Sequence, residues 1–240
     1  MNNLSIYKIL LICCIGAIQL GHSQNTGVKE LLNKALAFYQ SEEQYQVDMT
    51  YTMYQGLTGS KATESYQGSI IKNKAVSQIK MLNTDILQFP EGQLTINHTE
   101  KTVVYTIPEI SSIERQVVQL NTLMKNYTQG KTTEKGDVIL CELTADSQSN
   151  QNPYSRVILH INKNTYRLEK QELFFSRLIP FVGDRGVKKL DHGRLIITFE
   201  YSEGVLSEGI DIKDYIVLKS SEDVFLTGDY QEYRLINRSH

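Results

Sequence analysis

The repeated alternation of apolar and polar residues constrains the fold of this chain more than any other feature. From Tyr45 to Met53 every second residue is apolar, and the intervening residues are Gln, Asp or Thr. A two-residue period is typical of a strand with one covered face. Further strand-like segments are Ser65–Lys72, Val76–Leu82, Gln93–His98, Thr102–Ile107, Val138–Thr144, Ser155–Asn162, Thr165–Phe175 and Leu195–Tyr201, with candidate edge strands at Asp214–Leu218, Val224–Leu226 and Tyr230–Ile236. We therefore expect a mainly antiparallel β-sheet.

Two segments have the period of a helix instead. The first apolar face consists of Val28, Leu31, Leu32, Ala35, Leu36 and Tyr39, and the second of Ile110, Ile113, Val117, Leu120, Met124 and Tyr127. The order of helix, strands, helix and strands predicts an α+β fold, in which one large curved antiparallel sheet meets two helices. Residues 177–192 have no period, so we expect a long mobile connection there.

The first residues of the chain are typical of a secretory signal. Lys8 precedes an apolar run from Ile9 to Leu20, and the small residues Gly21 and Ser23 fit a cleavage site. We therefore expect a signal peptide over 1–23, a single domain over 24–240, and an exported protein without a membrane-spanning segment. Cys141 is then the one cysteine of the mature protein, and its apolar strand predicts a small buried hydrophobe.

Charge and motifs exclude several classes of function. The chain has 25 basic and 27 acidic residues, and this balance gives no footprint for nucleic acid and no polybasic patch for anionic lipid. The histidines lack metal-ligand spacing, so we expect no metal, cofactor or catalytic site. A hydrolase assembled from His160, His192 and a carboxylate would require the two histidines to lie within about 10 Å of each other, close enough to act on one substrate.

Several flexible or aromatic apolar residues allow two interpretations. These residues either fill an ordinary core or line an apolar cavity beneath a sheet that two short helices do not seal. They are Met49, Tyr51, Met53, Met124, Tyr127, Leu195, Ile197 and Phe199. The second interpretation predicts a ligand that is itself apolar.

Some of these segments resemble the LolA and LolB family of periplasmic lipoprotein carriers. The resemblance is carried by Tyr45–Met49 after the first helix, by Gly68–Lys72, by the Thr95–Tyr105 hairpin, by the glycine-led strand Gly136–Leu140, and by Val157–Asn162 followed by Tyr166–Glu172. It implies a strongly curved, incomplete β-barrel of about eleven strands, with helices covering a concave apolar face. It also implies a carrier or chaperone in the bacterial periplasm that binds acyl chains of lipids or lipoproteins and meets donor and acceptor proteins of the envelope. We expect a monomer.

The predicted cavity lining is Met49, Tyr51, Met53, Ile70, Tyr105, Val117, Leu120, Met124, Leu159, Ile161, Ile197 and Phe199. Lys74 stands where the family carries an arginine that helps hold a helical lid, so it is a candidate lid contact, although lysine does not reproduce the forked donors of arginine. The alternative is a secreted structural or interaction module with a fully packed core, whose partner docks at residues 177–192.

Overall fold

The computed structural model describes residues 26–107, 120–127, 129–145, 152–182, 186–202, 209–220 and 223–239. The predicted signal peptide lies outside these residues, as does most of the predicted second helix, including Val117. In the described part of the chain, no helix is both long enough and apolar enough to cross a membrane.

Nearly half of the described residues belong to one twelve-stranded sheet. Its strands are β1 (Gln44–Gln55), β2 (Ala62–Asn73), β3 (Val76–Met81), β4 (Thr84–Gln88), β5 (Gln93–Asn97), β6 (Thr102–Thr106), β7 (Gln129–Lys135), β8 (Val138–Thr144), β9 (Tyr154–Asn162), β10 (Leu168–Phe175), β13 (Gly193–Tyr201) and β16 (Arg234–Arg238). Their spatial order is β16-β6-β5-β4-β3-β2-β1-β13-β10-β9-β8-β7, so the sheet is open. The strands β11 (Ile179–Val182) and β12 (Lys188–Asp191) form one separate hairpin, and β14 (Ile216–Leu218) and β15 (Val224–Leu226) form another.

Two α-helices pack against this sheet. Helix α1 spans residues 26–41, and the predicted face from Val28 to Tyr39 is turned toward the sheet. Helix α2 is described over Leu120–Asn126. Short 3-10 helices at Ile212–Asp214 and Gly228–Tyr230 flank the β14–β15 hairpin.

The strand register shows that the molecule has two hydrophobic cores on opposite faces of the sheet. Residues directly opposite each other on paired strands share a face. Val47 is opposite Ile70, and Ile70 is opposite Ile79, so these three residues share the face on which the helices pack. Leu87 is opposite Gln78, the neighbour of Ile79, and therefore lies on the other face. We call these the helix-side face and the opposite face.

The first core lies beneath the helices, on β1, β2, β8, β9, β10 and β13. Leu32 of α1 and Leu120 of α2 are fully buried there with Val47, Leu159 and Ile161. Cys141 is also fully buried in this core, as its strand pattern predicts. Burial raises the pKa of its thiol to about 12, so the thiolate that nucleophilic chemistry requires does not form near neutral pH.

The second core lies on the opposite face of β4, β5 and β6, and the C-terminal segment covers it. Leu87, Leu94 and Tyr105 of the sheet pack there with Ile216 of β14 and Val224 of β15. The same segment ends in β16, which pairs with β6 in parallel. Residues 209–239 therefore cover one face of these strands and also protect their edge.

Three features of the predicted fold need correction. The large sheet has twelve described strands, whereas the resemblance implied about eleven; β4 and β7 are strands that the sequence pattern did not indicate, and the predicted C-terminal edge strand joins the sheet beyond β6 as β16. Over the residues that the structure describes, the helices pack on the half of the sheet that carries the first core. Residues 177–192, expected to be a mobile connection, contain the β11–β12 hairpin, whose Phe181 is buried.

Candidate functional site

The helix-side face carries a row of apolar side chains beyond the edge of the first core. We call it the apolar strip, and it consists of Tyr51, Met53, Tyr66, Ile79, Met81, Ile86, Val104, Leu195 and Ile236. Three of these residues, Tyr51, Ile79 and Leu195, touch the first core, whereas the other six fall outside both cores as the described residues define them. The strip therefore begins at the edge of the first core, on β1, β2 and β13, and continues across β4 and β6, which bury their opposite face.

The register aligns the residues of the strip in rows across most of the sheet. Ile79 is opposite Ile86, and Val104 is opposite Ile236, with Thr95 between the two pairs. Toward the ends of β1 and β13, Met53 is opposite Leu195 and Tyr51 is opposite Tyr66. The path from β13 to β16 crosses seven strand spacings, which corresponds to about 33 Å.

Side chains of the strip are accessible to different degrees. Tyr66 and Met81 are each 43% exposed, while Ile79, Ile86, Val104, Leu195 and Ile236 are half-buried. Single exposed apolar residues are ordinary on protein surfaces, but a contiguous apolar row indicates a binding surface.

Gly68 leaves space in the strip at the centre of β2. A Cβ atom at this position would lie 2.7 Å from the carbonyl oxygen of Lys80 and 3.3 Å from the ring of Tyr51. The tyrosine ring therefore lies close to the backbone of β2, in a position that a larger residue at 68 would obstruct. Because Gly68 has no side chain, no group fills the surface between Met49 and Met81, which lie opposite it on the two neighbouring strands.

The hydroxyl of Tyr51 lies in apolar surroundings. It donates to the sulfur of Met49 at 3.3 Å, and a thioether is a weak acceptor. Desolvation raises the pKa of Tyr51. This part of the strip therefore favours uncharged ligand groups over ionised ones.

The structure divides the predicted lining residues among three places. Met49, Ile70, Leu120, Leu159, Ile161, Ile197 and Phe199 are buried in the first core, where Met124 is half-buried, and Tyr51 and Met53 lie in the strip. Tyr105 is separated from all of these because it points to the opposite face. There its ring packs in the second core beside Gly92 and its hydroxyl donates to the carbonyl oxygen of Glu91 at 2.9 Å.

Lys74, the candidate lid contact, lies in the turn between β2 and β3. Its side chain is exposed, and its backbone has a positive φ of 54°. Its amide donates to the carbonyl oxygen of Glu43 at 2.6 Å, which ties the turn to the start of β1. A role in holding a lid stays a prediction.

Sequence reasoning missed six residues of the strip: Tyr66, Ile79, Met81, Ile86, Val104 and Ile236. Ile86 belongs to β4, which was not recognised as a strand, and Ile236 belongs to the C-terminal segment. Ile79 lies between polar neighbours in the sequence and Val104 between apolar ones, so only the register shows which face each occupies.

Polar groups gather on the opposite face of the first half. His160 Nε2 lies 3.0 Å from Glu172 Oε1, and Lys170 Nζ lies 2.9 Å from the same oxygen. The hydrogen bond to His160 is the main cause that lowers the pKa of Glu172 to about 2, and Lys170 adds to it. This cluster is an ion-paired patch on a strand surface.

The hydrolase interpretation fails on distance. His160 is opposite Lys170, and Lys170 is opposite Thr198, whereas His192 lies six residues before Thr198. At about 3.3 Å per residue the two histidines are roughly 20 Å apart along the sheet. They do not meet in one site. Among the residues that the structure describes, no group of three or more His, Cys, Asp or Glu side chains is arranged to hold a metal ion.

Comparisons with known proteins gave structural matches only. No family model matches this sequence, and a search of curated proteins returned no match. Among solved structures, the chain is similar to a LolA superfamily protein of Nitrosomonas europaea, at 12% identity and a TM-score of 0.32, over 75% of this chain and 94% of that one. An uncharacterized conserved protein of Thermus thermophilus matches at 10% identity and a TM-score of 0.43, over 88% and 99% of the two chains. Lipoprotein LppX of Mycobacterium tuberculosis matches at 9% identity and a TM-score of 0.38, over 76% and 99%.

Proposed function

We propose that this protein is a non-enzymatic carrier in the bacterial cell envelope that binds acyl chains of lipids or lipoproteins along the apolar strip. The observation that carries the proposal is the position of the strip. Ile86, Val104 and Ile236 lie in one row, with Thr95 between the first two, on a face that neither described core occupies, whereas the opposite face of these strands packs against the C-terminal segment.

The dimensions and chemistry of the strip suit a hydrocarbon chain. The six strands from β2 to β16 are about 24 Å across, and an extended apolar ligand lying over them contacts isoleucine, valine and methionine side chains. Each methylene group removed from water contributes about 0.8 kcal/mol, so a ligand of many methylenes is held without any charged contact. Such binding requires no reaction, since transfer follows from the relative affinities of donor and acceptor partners for the same chain.

Binding of a fluorescent fatty-acyl probe tests the proposal in two double variants, one changed on the helix-side face and the other on the opposite face. We expect the double variant Leu195→Asn, Val104→Asn to weaken probe binding at least tenfold, because each substitution places an amide in the strip. The matched control is Ile158→Asn, Ile196→Asn, which changes two half-buried isoleucines on the opposite face. Its affinity for the probe should stay within about twofold of the unmodified protein.

Met49 and Phe199 are poor positions for this test. They are 3% and 8% exposed in the first core, so a polar substitution there lowers the stability of the whole protein. Circular dichroism of the variants at half-buried positions should show that they fold. Equal probe affinity in both double variants would contradict the proposal, as would purification of the mature protein from the envelope with no acyl lipid detectable by mass spectrometry.

A further inference from the structure

The end of the sheet where β1 finishes and β13 begins carries an unusual concentration of exposed apolar side chains. The β11–β12 hairpin projects there, and Leu178, Val182, Val187 and Leu190 are 51%, 68%, 67% and 64% exposed. Leu57, in the neighbouring loop between β1 and β2, is 40% exposed. Exposure of this extent is costly in water unless another apolar phase covers the patch.

The register of the hairpin places Val182 and Leu190 on one outward face. Pro180 is opposite Leu190, and Val182 is opposite Lys188. The other face holds Phe181, which is 6% exposed, and Ile179, which packs against Gly193 at the start of β13. The hairpin is thus an amphipathic ribbon with its apolar outer face turned away from the protein.

Several contacts fix this ribbon to the sheet. Gln55 Nε2 donates to Asp191 Oδ2 at 2.9 Å, and the Gly56 amide donates to the His192 carbonyl oxygen at 2.7 Å. Arg194 donates to the carbonyl oxygens of Leu57 and Gly59, at 3.2 and 2.8 Å, and so holds the β1–β2 loop beside the hairpin. The exposed residues therefore belong to an anchored projection.

Basic residues accompany the apolar face. Residues 177–192 contain four basic and two acidic side chains, whereas the whole chain has a net charge of −2. Lys188 lies on the apolar face itself, and Lys189, paired with Asp191 at 3.4 Å, keeps 72% of its side chain exposed. Lysine side chains beside exposed leucine and valine match the interface of an anionic bilayer, where the stems lie along apolar groups and the ammonium groups meet phosphates.

We propose that the outer face of the β11–β12 hairpin docks on an anionic lipid membrane, with Val182 and Leu190 entering the interfacial layer. The partner is a bilayer surface, because the patch is small, projecting and rimmed by lysine instead of being a flat or concave face. The hairpin adjoins the ends of β1 and β13, so docking brings Met53 and Leu195 of the apolar strip toward the lipid.

Cosedimentation with phospholipid vesicles tests this docking. We expect the protein to bind vesicles that contain phosphatidylglycerol at least fivefold more than vesicles of phosphatidylcholine alone. The variant Val182→Asp, Leu190→Asp should lose at least nine-tenths of this binding, and Lys188→Gln, Lys189→Gln should reduce it several-fold. The matched control is Val217→Asp, Phe225→Asp, which changes the exposed apolar residues of the β14–β15 hairpin, 40% and 50% exposed, and should leave binding unchanged.

A fluorescence measurement tests the proposal in a variant that still binds vesicles. The chain contains no tryptophan, so Val182→Trp introduces a single reporter whose emission should shift to shorter wavelength on addition of anionic vesicles. Phe225→Trp should show no shift. Absence of the shift at position 182, or equal vesicle binding by the Val182→Asp, Leu190→Asp variant, would overturn the proposal.

These outcomes are independent of the acyl-chain proposal. A protein that binds the fatty-acyl probe but not vesicles contradicts only the docking of the hairpin. A protein that binds vesicles but not the probe contradicts only the function of the strip.

Discussion

In the part of the chain that the structure describes, the two halves of the sheet bury opposite faces, and the other face of each half differs in character. Beneath α1 and α2 the helix-side face is buried, and the opposite face carries ion pairs such as Lys131 with Glu142 and His160 with Glu172. Beneath the C-terminal segment the opposite face is buried, and the helix-side face carries Ile86, Val104 and Ile236. The face that neither core occupies thus carries ion pairs beside Ile158 and Ile196 in one half, and a single row of apolar side chains flanked by polar ones such as Thr106 and Arg234 in the other. The difference supports the proposal that the apolar strip binds a ligand.

The largest effect on stability is expected from a substitution that disrupts the packing of the C-terminal segment on the second core. Ile216→Asp places a charge at a position that is 1% exposed, and we expect the free energy of unfolding to fall by about 3 kcal/mol or more. Hydrogen exchange should become faster in β4, β5 and β6 while β8, β9 and β10 stay protected. Val217→Asp, on the exposed side of the same strand, should change stability by less than about 0.5 kcal/mol. Faster exchange throughout the sheet would show that the two halves do not have separate covers.

A smaller effect on stability is expected when a tyrosine hydroxyl is removed from the first core, and almost none when one is removed from the strip. The Tyr39 hydroxyl bonds with the Tyr201 hydroxyl and accepts from the Leu168 amide at 3.2 Å, so Tyr39→Phe leaves buried polar groups without this partner. We expect a loss of about 1–3 kcal/mol in urea unfolding. Tyr51→Phe removes only the weak bond to Met49, and its stability should stay within about 0.5 kcal/mol of the unmodified protein. Equal losses would place Tyr51 in the core instead of the strip.

The smallest effect concerns the polar face of the first half and depends on pH. Because the folded-state pKa of Glu172 is lowered to about 2 from its ordinary 4.5, ionised Glu172 stabilises the folded protein. This contribution is fully present above pH 4.5 and is lost as the pH falls toward 2. The difference in melting temperature between the unmodified protein and Glu172→Gln should therefore shrink between pH 6 and pH 2.5. For Glu200→Gln, at an exposed position of the same face, the difference should be small at every pH; an equal trend would contradict a specific role of the His160 and Lys170 contacts.

Much of the secondary structure follows from local pattern. Helix α1 and the strand from Tyr45 onward have strict periods, and each lies where its pattern indicates. Strands β4 and β7 were missed for physical reasons. The sequence of β7 is Gln-Gly-Lys-Thr-Thr-Glu-Lys, a nearly all-exposed edge strand that needs no alternation, and β4 is only five residues long and includes Asp85.

The candidate site follows from sequence only in part. Alternation identifies Tyr51 and Met53 as facing one side of β1, but it does not show where one cover of the sheet stops and another begins. Tyr105 illustrates the difficulty. It alternates like a core residue and is indeed buried, at 3% exposure, but on the face that the C-terminal segment covers. The residues that assign it there, Ile216 and Val224, are more than a hundred positions further along the chain.

The pairing of β1 with β13 sets the order in which this molecule is assembled. Val47 lies opposite Tyr201, so the middle of the sheet joins segments that are roughly 150 residues apart in the chain. A nascent polypeptide that ends before β13 contains two groups of strands, β1 to β6 and β7 to β10, which are not yet joined through β13. Contacts of such long range slow folding, because the loop must close before the pairing rewards it. The chain therefore lacks the β1–β13 pairing through most of its synthesis, which leaves time for handling by chaperones or passage through a narrow channel.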